Sequence, residues 1–255
     1  MRKIGLLILY LFFSQGIFAQ QKMWLRVNLA GYTPQVPKVA VLICKGKPSA
    51  ASWELISIAT GKTVVKEALP ANGGAFGTFD HVYRLRFSSW KMPGRYYVRC
   101  GNVRSVEFRI GADVYKGSAD FALQYLRQQR SGFNPYLNDS CHTHDGFTLY
   151  GPMPDGTKID VSGGWHDASD YLQYATTSAN ATYHLLAAYR DFKTVFADTV
   201  LANGRPGNNG IADVLDEARW GIDWLMKMHP RPDWLFNQLA DDRDHQGMRL
   251  PTRDS

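Results

Sequence analysis

The sequence predicts a two-part chain, an all-β sandwich followed by an all-α part. Three observations carry this. Residues 22–110 hold seven short β-branched or aromatic runs, partly alternating, separated by breaks rich in Gly, Pro, Asn and Ser, which is the spacing of an antiparallel sandwich. After Ile110 the apolar residues recur at helical rather than alternate spacing. A Gly/Pro/Asn break, NGRPGNNG at 203–210, separates two of the helical segments.

The 255 residues, 45% hydrophobic and 20% charged, suffice for one large domain or two smaller ones. The net charge of +6 comes from Lys and Arg scattered along the chain. Such charge reads as solvated surface, and no nucleic-acid partner is expected. At the N-terminus, Arg2 and Lys3 precede the apolar run IGLLILYLFF, and a small-residue exit follows at Ala19. This is the pattern of a secretory signal peptide over residues 1–19, too short for a comfortable membrane span. The protein is therefore expected to be secreted or periplasmic, with no membrane attachment once the peptide is removed.

Taken in order, the strand candidates are WLRVNLAGY, KVAVLIC, SWELISI, TVVKEAL, HVYRLRF, GRYYVRC and SVEFRI. Two of the three cysteines, Cys44 and Cys100, fall in these runs. They either bridge or serve as small core residues, and we read them as buried and unbridged. The boundary is placed at 111–114, giving a β part over 22–111 and a helical part over 112–255. Ala119, Ala122, Leu123 and Leu126 predict a helix within 115–130. A loop rich in Gly, Asn, Asp, Ser and Pro spans 131–166, a length that is usually functional. A second helix is predicted from about Ala168 to Asp191, with Tyr171, Ala175, Thr182 and Tyr189 on one face. A third is predicted over 211–228, with Leu215, Ala218, Ile222 and Leu225 in register and His229-Pro230 as its stop.

The chemistry concentrates in VSGGWHDASDY, residues 161–171. A helix starting at Ala168 would make Asp167 its N-cap and Asp170 its third residue, where free backbone N–H groups and the helix dipole favour carboxylates. That is an ordinary helix start. The functional alternative is a carboxylate pair projecting to one place at the end of a long loop. An ionised carboxylate can take a proton from water, as inverting glycoside hydrolysis requires of its base. Trp165 beside the pair is either a sugar platform or a core anchor.

The segment DVSGGWHDASDY resembles the base-bearing signature of glycoside hydrolase family 9, with Ser169 where Gly is usual. NGIADVLDEARWGIDWLMKMHP, QLADDRDHQGMRLP and RSGFNPYLNDSCHTHDG are similar to further stretches of that family, and LRVNLAGYTPQVPKVAV and PGRYYVRCG are similar to the immunoglobulin-like domain that precedes many such cellulases. The resemblance implies an immunoglobulin-like sandwich followed by the first part of an (α/α)6 toroid. It implies hydrolysis of β-1,4-glucan with inversion, on a β-glucan polysaccharide or oligosaccharide. Asp170 would be the general base, Asp167 would help hold the attacking water, and Trp165 and His166 would lie on the substrate side.

Many family members bind structural calcium, and some bind zinc near the Cys-His loop. Cys141 and His142 would be two zinc ligands, with His144, His166 or water completing the site, or else a Cys and a His packed in a structured loop. Zinc-binding members often carry Cys where this chain has Ser131. The acidic group Asp241, Asp242, Asp244 with His245 suits calcium or a hydrogen-bonded loop equally. The family's proton donor is a Glu late in a longer catalytic domain, and Glu217 does not match its motif. The resemblance thus implies an N-terminal portion that carries the base without the acid, or alternatively a non-catalytic carbohydrate-binding remnant.

Overall fold

The computed structural model describes residues 22–240 and 249–253. The expected signal segment and the group Asp241, Asp242, Asp244 and His245 lie outside the described residues. The chain divides between Tyr115 and Lys116 into two compact units.

The first unit is an immunoglobulin-like sandwich of eight strands: β1 Met23–Arg26, β2 Val39–Cys44, β3 Ser52–Ser57, β4 Thr63–Ala68, β5 His81–Arg86, β6 Gly94–Cys100, β7 Val103–Arg104 and β8 Phe108–Ile110. One sheet runs β1-β2-β5; the other runs β4-β3-β6-β7, with β8 also paired to β6. Alternation fixes which side faces in. In β2, Ala40, Leu42 and Cys44 are fully buried while the residues between them are not, as a period of two requires. Trp53, Leu55, Leu85, Phe87 and Val98 complete an apolar core. Tyr32 meets Phe87 and Phe108 edge-on, at centroid distances of 5.1 and 5.3 Å, the geometry preferred by ring quadrupoles. The seventh expected strand, SVEFRI, is shortened to β8, and an additional short strand, β7, precedes it. The Ser105 hydroxyl accepts from the Val98 amide at 3.0 Å, standing in for a ladder carbonyl between β7 and β8. Cys44 and Cys100 are free and buried, and burial pushes the Cys100 thiol up to about 11.

The second unit holds α1 Ser118–Gln128, a hairpin of β9 Gly132–Asn134 and β10 Asp139–Cys141, the short strand β11 Gln173–Tyr174, α2 Ala175–Asp191, α3 Asp213–Met228 and β12 Gln238–Leu239. α3 packs against both α1 and α2. Its buried stripe is Val214, Glu217, Ala218, Gly221, Trp224 and Met228, while Ile222 is 38% exposed. The stripe expected around Leu215 and Ile222 is thus rotated. The rotation follows from Arg127 and Arg130, two buried cations at the end of α1 that draw Asp213 and Glu217 inward as ion-pair partners.

The second helix also departs from expectation. It begins at Ala175, not Ala168, and its N-cap is Tyr174 in extended conformation. Gln173 and Tyr174 are instead drawn into an antiparallel pair with Leu239 and Gln238, and Tyr171 takes a left-handed φ of 65° that stops helix growth. Asp167 is therefore not an N-cap and Asp170 not the third residue of a helix.

Candidate active site

Asp167 and Asp170 sit on a six-residue loop, 167–172, whose two ends are closed on each other. The Asp167 amide donates to the Leu172 carbonyl at 2.7 Å. Further out, Gln173 Nε2, one residue past the loop, donates to the carbonyl of Gly163, four residues before it, at 2.8 Å. Inside the loop the Leu172 amide donates to Asp170 Oδ1 at 3.3 Å. Asp167 is exposed and Asp170 half-buried, whereas Trp165, His166, Leu172 and Gln173 on either side are buried. The carboxylates are thus presented on the surface by a turn whose stems are held in the interior.

The N-terminal stem is fixed by backbone and side chain together. The His166 amide donates to the Gln129 carbonyl at 2.7 Å and the Ser131 amide to the Gly164 carbonyl at 3.0 Å, with Arg130 and Trp165 bridged between them. The Trp165 indole N–H donates to Glu217 Oε1 at 2.8 Å. Its ring occupies the space that a side chain on Gly221 would need, because a Cβ there would lie 2.3 Å from the ring. Trp165 is only 4% exposed. Of the two roles left open for it, core anchor is the one its surroundings allow, and it offers no open face to a sugar.

Glu217, fully buried, is the hub of this arrangement. Its carboxylate receives Arg130 Nε at 3.2 Å and Arg130 Nη2 at 2.7 Å, and Arg127 Nε lies 3.3 Å away. Arg130 in turn lies over the Trp220 ring at 4.2 Å, and the Trp220 indole donates to the Gly164 carbonyl at 2.9 Å. Sequence reasoning missed this cluster. The signal was present as Arg127 and Arg130 three apart and Asp213 and Glu217 four apart, complementary charges on helix-facing sides.

His166 also lies elsewhere than expected. It is 4% exposed, and its ring is engaged inside. Nδ1 lies 3.0 Å from the Tyr171 carbonyl oxygen, which fixes the proton on Nδ1 and leaves the Nε2 lone pair pointing 3.7 Å from Cys141 Sγ. The ring of His142 stacks edge-on at 4.6 Å. Donor atoms of Cys141, His142 and His166 all lie within 4.8 Å of one another. Next to them Ser131 is fully buried, and its hydroxyl has no hydrogen-bond partner among the described residues. A thiol and two imidazoles form a donor set that fits zinc, a borderline-soft ion that takes S and N ligands. His166 therefore moves from the expected substrate side to this cluster.

Comparison with known proteins agrees with the geometry. The profile of Glycosyl hydrolase family 9 matches residues 115–254, and that of the Cellulase N-terminal ig-like domain matches residues 20–105. Endoglucanase D of Acetivibrio thermocellus is 32% identical over 205 residues, covering 74% of this chain and 32% of that protein. A metagenome-derived glycoside hydrolase family 9 endoglucanase of known structure superposes with a TM-score of 0.71 at 33% identity, over 85% of this chain and 42% of that one. A Zn-binding triple mutant of the family 9 endoglucanase J30 gives a TM-score of 0.69 at 31% identity, over 81% of this chain and 40% of that one. The chain spans about a third of the length of the curated relatives it matches. With a helical unit matched along nearly its whole length and a sandwich of the accompanying type before it, the chain belongs to glycosyl hydrolase family 9.

Proposed function

We propose that the whole protein is an exported glycoside hydrolase that cleaves β-1,4-glucan with inversion, with Asp170 as general base and Asp167 holding the attacking water. The observation that carries this reading is the loop 167–172: two carboxylates three residues apart, presented to solvent by a turn clamped at both stems. The endoglucanases among the relatives supply the substrate class. Asp170 accepts a proton from water as the oxygen attacks the anomeric carbon, and Asp167 accepts the hydrogen bond of the second water proton. A carboxylic acid about 6.5–9.5 Å away, on the opposite face of the sugar, would protonate the leaving oxygen. Glu217, enclosed by two guanidiniums and an indole, is not that acid.

The test is hydrolysis of a soluble β-1,4-glucan by the purified protein. Asp170→Asn is expected to lower kcat by about 10²–10⁴-fold, and proton NMR should show the α-anomer as first product. Undiminished activity in Asp170→Asn would remove Asp170 as base, and a β-anomer as first product would remove inversion. Export rests on the Arg2-Lys3 start and the apolar run behind it, and N-terminal sequencing of the extracytoplasmic protein is expected to begin at Gln20.

Cys141, His142 and His166 would hold a zinc ion. When bound, the ion would supply a structural clamp between the β10 segment and the residue next to Asp167. Dialysis against zinc followed by elemental analysis should find about one zinc per chain, lost in Cys141→Ser. Ser131→Cys is expected to tighten binding, since a thiolate replaces an unengaged hydroxyl. A wild-type chain that retains no zinc would overturn the assignment.

A further inference from the structure

Two groups in the helical unit are buried deeply enough to be costly and are not used in the proposed chemistry: the Glu217 carboxylate and the Trp165 indole N–H. Ion pairing with Arg127 and Arg130 accounts for why Glu217 is charged and buried. It does not account for the third donor. Of the three side chains that meet the Glu217 carboxylate, Arg127 lies in α1 and Arg130 two residues beyond it, while Trp165 comes from the segment that leads into the loop, two residues before Asp167.

We propose that Glu217 is a positioning residue for hydrolysis, acting through its hydrogen bond to Trp165 to set where Asp167 and Asp170 stand. This rests on the reading of Asp170 as the base. The path is short and continuous. Glu217 is fixed in α3 by bidentate contact with Arg130. Its Oε1 takes the indole N–H at 2.8 Å, and the ring lies flush on Gly221 one turn further along the same helix. The Trp165 backbone is bridged to Arg130, so the residue that orients the carboxylate also orients the strand that leads into the loop. From Trp165 the chain has one buried residue, His166, before Asp167 emerges. A rotation of the indole, pivoting on Gly221, would be passed on to the carboxylates with no flexible residue between. Reacting groups misplaced by about 1 Å can lose roughly 10²-fold in rate.

The test uses two substitutions in the whole protein, Trp165→Phe and Glu217→Gln. The first keeps an aromatic ring at position 165 and removes the N–H, together with the far edge of the indole that meets Gly221. The second keeps the size of the side chain and weakens the acceptor. Each is expected to lower kcat by about 10–100-fold, counted per folded molecule, with KM changed less than about threefold. Val214→Ala, a fully buried change in the same helix away from the path, serves as the control that lowers stability and leaves kcat intact. Asp170→Asn is measured alongside. If Asp170→Asn is inactive while whichever of the two variants folds keeps the kcat of the Val214→Ala control, the positioning role is wrong and the base assignment stands. If Asp170→Asn remains active, the base assignment fails first and this proposal falls with it.

Discussion

Leu55 in β3 and Glu217 in α3 are each fully buried, yet their surroundings have little in common. Leu55 sits in an apolar cluster with Leu42, Leu85 and Val98. Glu217 sits among two guanidiniums and an indole, in a unit whose apolar cluster among the described residues centres on Val161, Trp224 and Met228. A sandwich core is held by dispersion and the removal of apolar surface from water, so it responds to volume. An ionic core is held by matched charges that have given up their hydration, so it responds to the loss of one partner far more than to shape. The two units should therefore fail under different substitutions.

The largest effect is expected for Glu217→Met. It conserves approximate size but leaves Arg127 and Arg130 without their shared partner, at a cost of about 3–5 kcal/mol. Urea unfolding followed by tryptophan fluorescence should show the helical unit unfolding early, and a cost below about 1 kcal/mol would mean the charges do not hold that unit. The matching change in the sandwich, Leu55→Met, is expected to cost less than about 1.5 kcal/mol because volume is kept. Leu55→Ala, which leaves a cavity, is expected to cost about 3 kcal/mol. If the two Leu55 variants cost the same, volume is not what the sandwich core reads.

A third prediction separates the units by pH. The Cys100 thiol is raised to about 11, first by burial and then by the neighbouring Cys44. Its contribution is fully present below the unfolded thiol value of about 8.5 and is lost as pH rises toward 11. The sandwich should lose on the order of 2 kcal/mol between about pH 8.5 and 11, and native protein at pH 8 should leave both sandwich thiols unlabelled by iodoacetamide. Prompt labelling would show that the sandwich opens more readily than its packing implies.

The smallest effect concerns Asp160. Hydrogen bonds from Ser162, then from Lys227, hold its carboxyl down at about 2. The contribution is present above the unfolded carboxylate value and disappears as pH falls toward 2. With the side chain 67% exposed, Asp160→Asn is expected to cost less than about 1 kcal/mol at pH 7. A larger loss would mean that the tie from Lys227 to Asp160 and Ser162 does more for the loop than a solvated pair does.

The same contrast decides what was legible in the sequence. The sandwich announces itself through alternation, because strands such as VAVLIC show their inner and outer faces directly. The α3 stripe could not be read by hydrophobicity, since Asp213, Asp216 and Glu217 lie on the buried side and Ile222 lies outside. The start of α2 was misplaced for a related reason. Residues 168–174 carry helical spacing, but their backbone is claimed by the turn at Tyr171 and by pairing with Gln238 and Leu239, residues more than sixty positions away. The VSGGWHDASDY stretch singled out Asp167 and Asp170, but as a helix start rather than as the turn that carries them. It did not reveal that Trp165 and His166 face inward, because an aromatic ring beside a site looks the same in sequence whether it meets substrate or core.

Gly221 carries a consequence for how this gene can vary. A methyl group there would lie 2.3 Å from the Trp165 ring and 2.5 Å from the Thr182 hydroxyl oxygen. Neither Gly221 nor Trp165 can change first without harm, since enlarging one evicts the other and shrinking the indole leaves a hole. The two positions should be inherited as a unit. In a selection for restored yield of folded protein, a Gly221→Ala lineage should recover through second-site changes at Trp165 or Thr182 before any change in the loop that carries the aspartates.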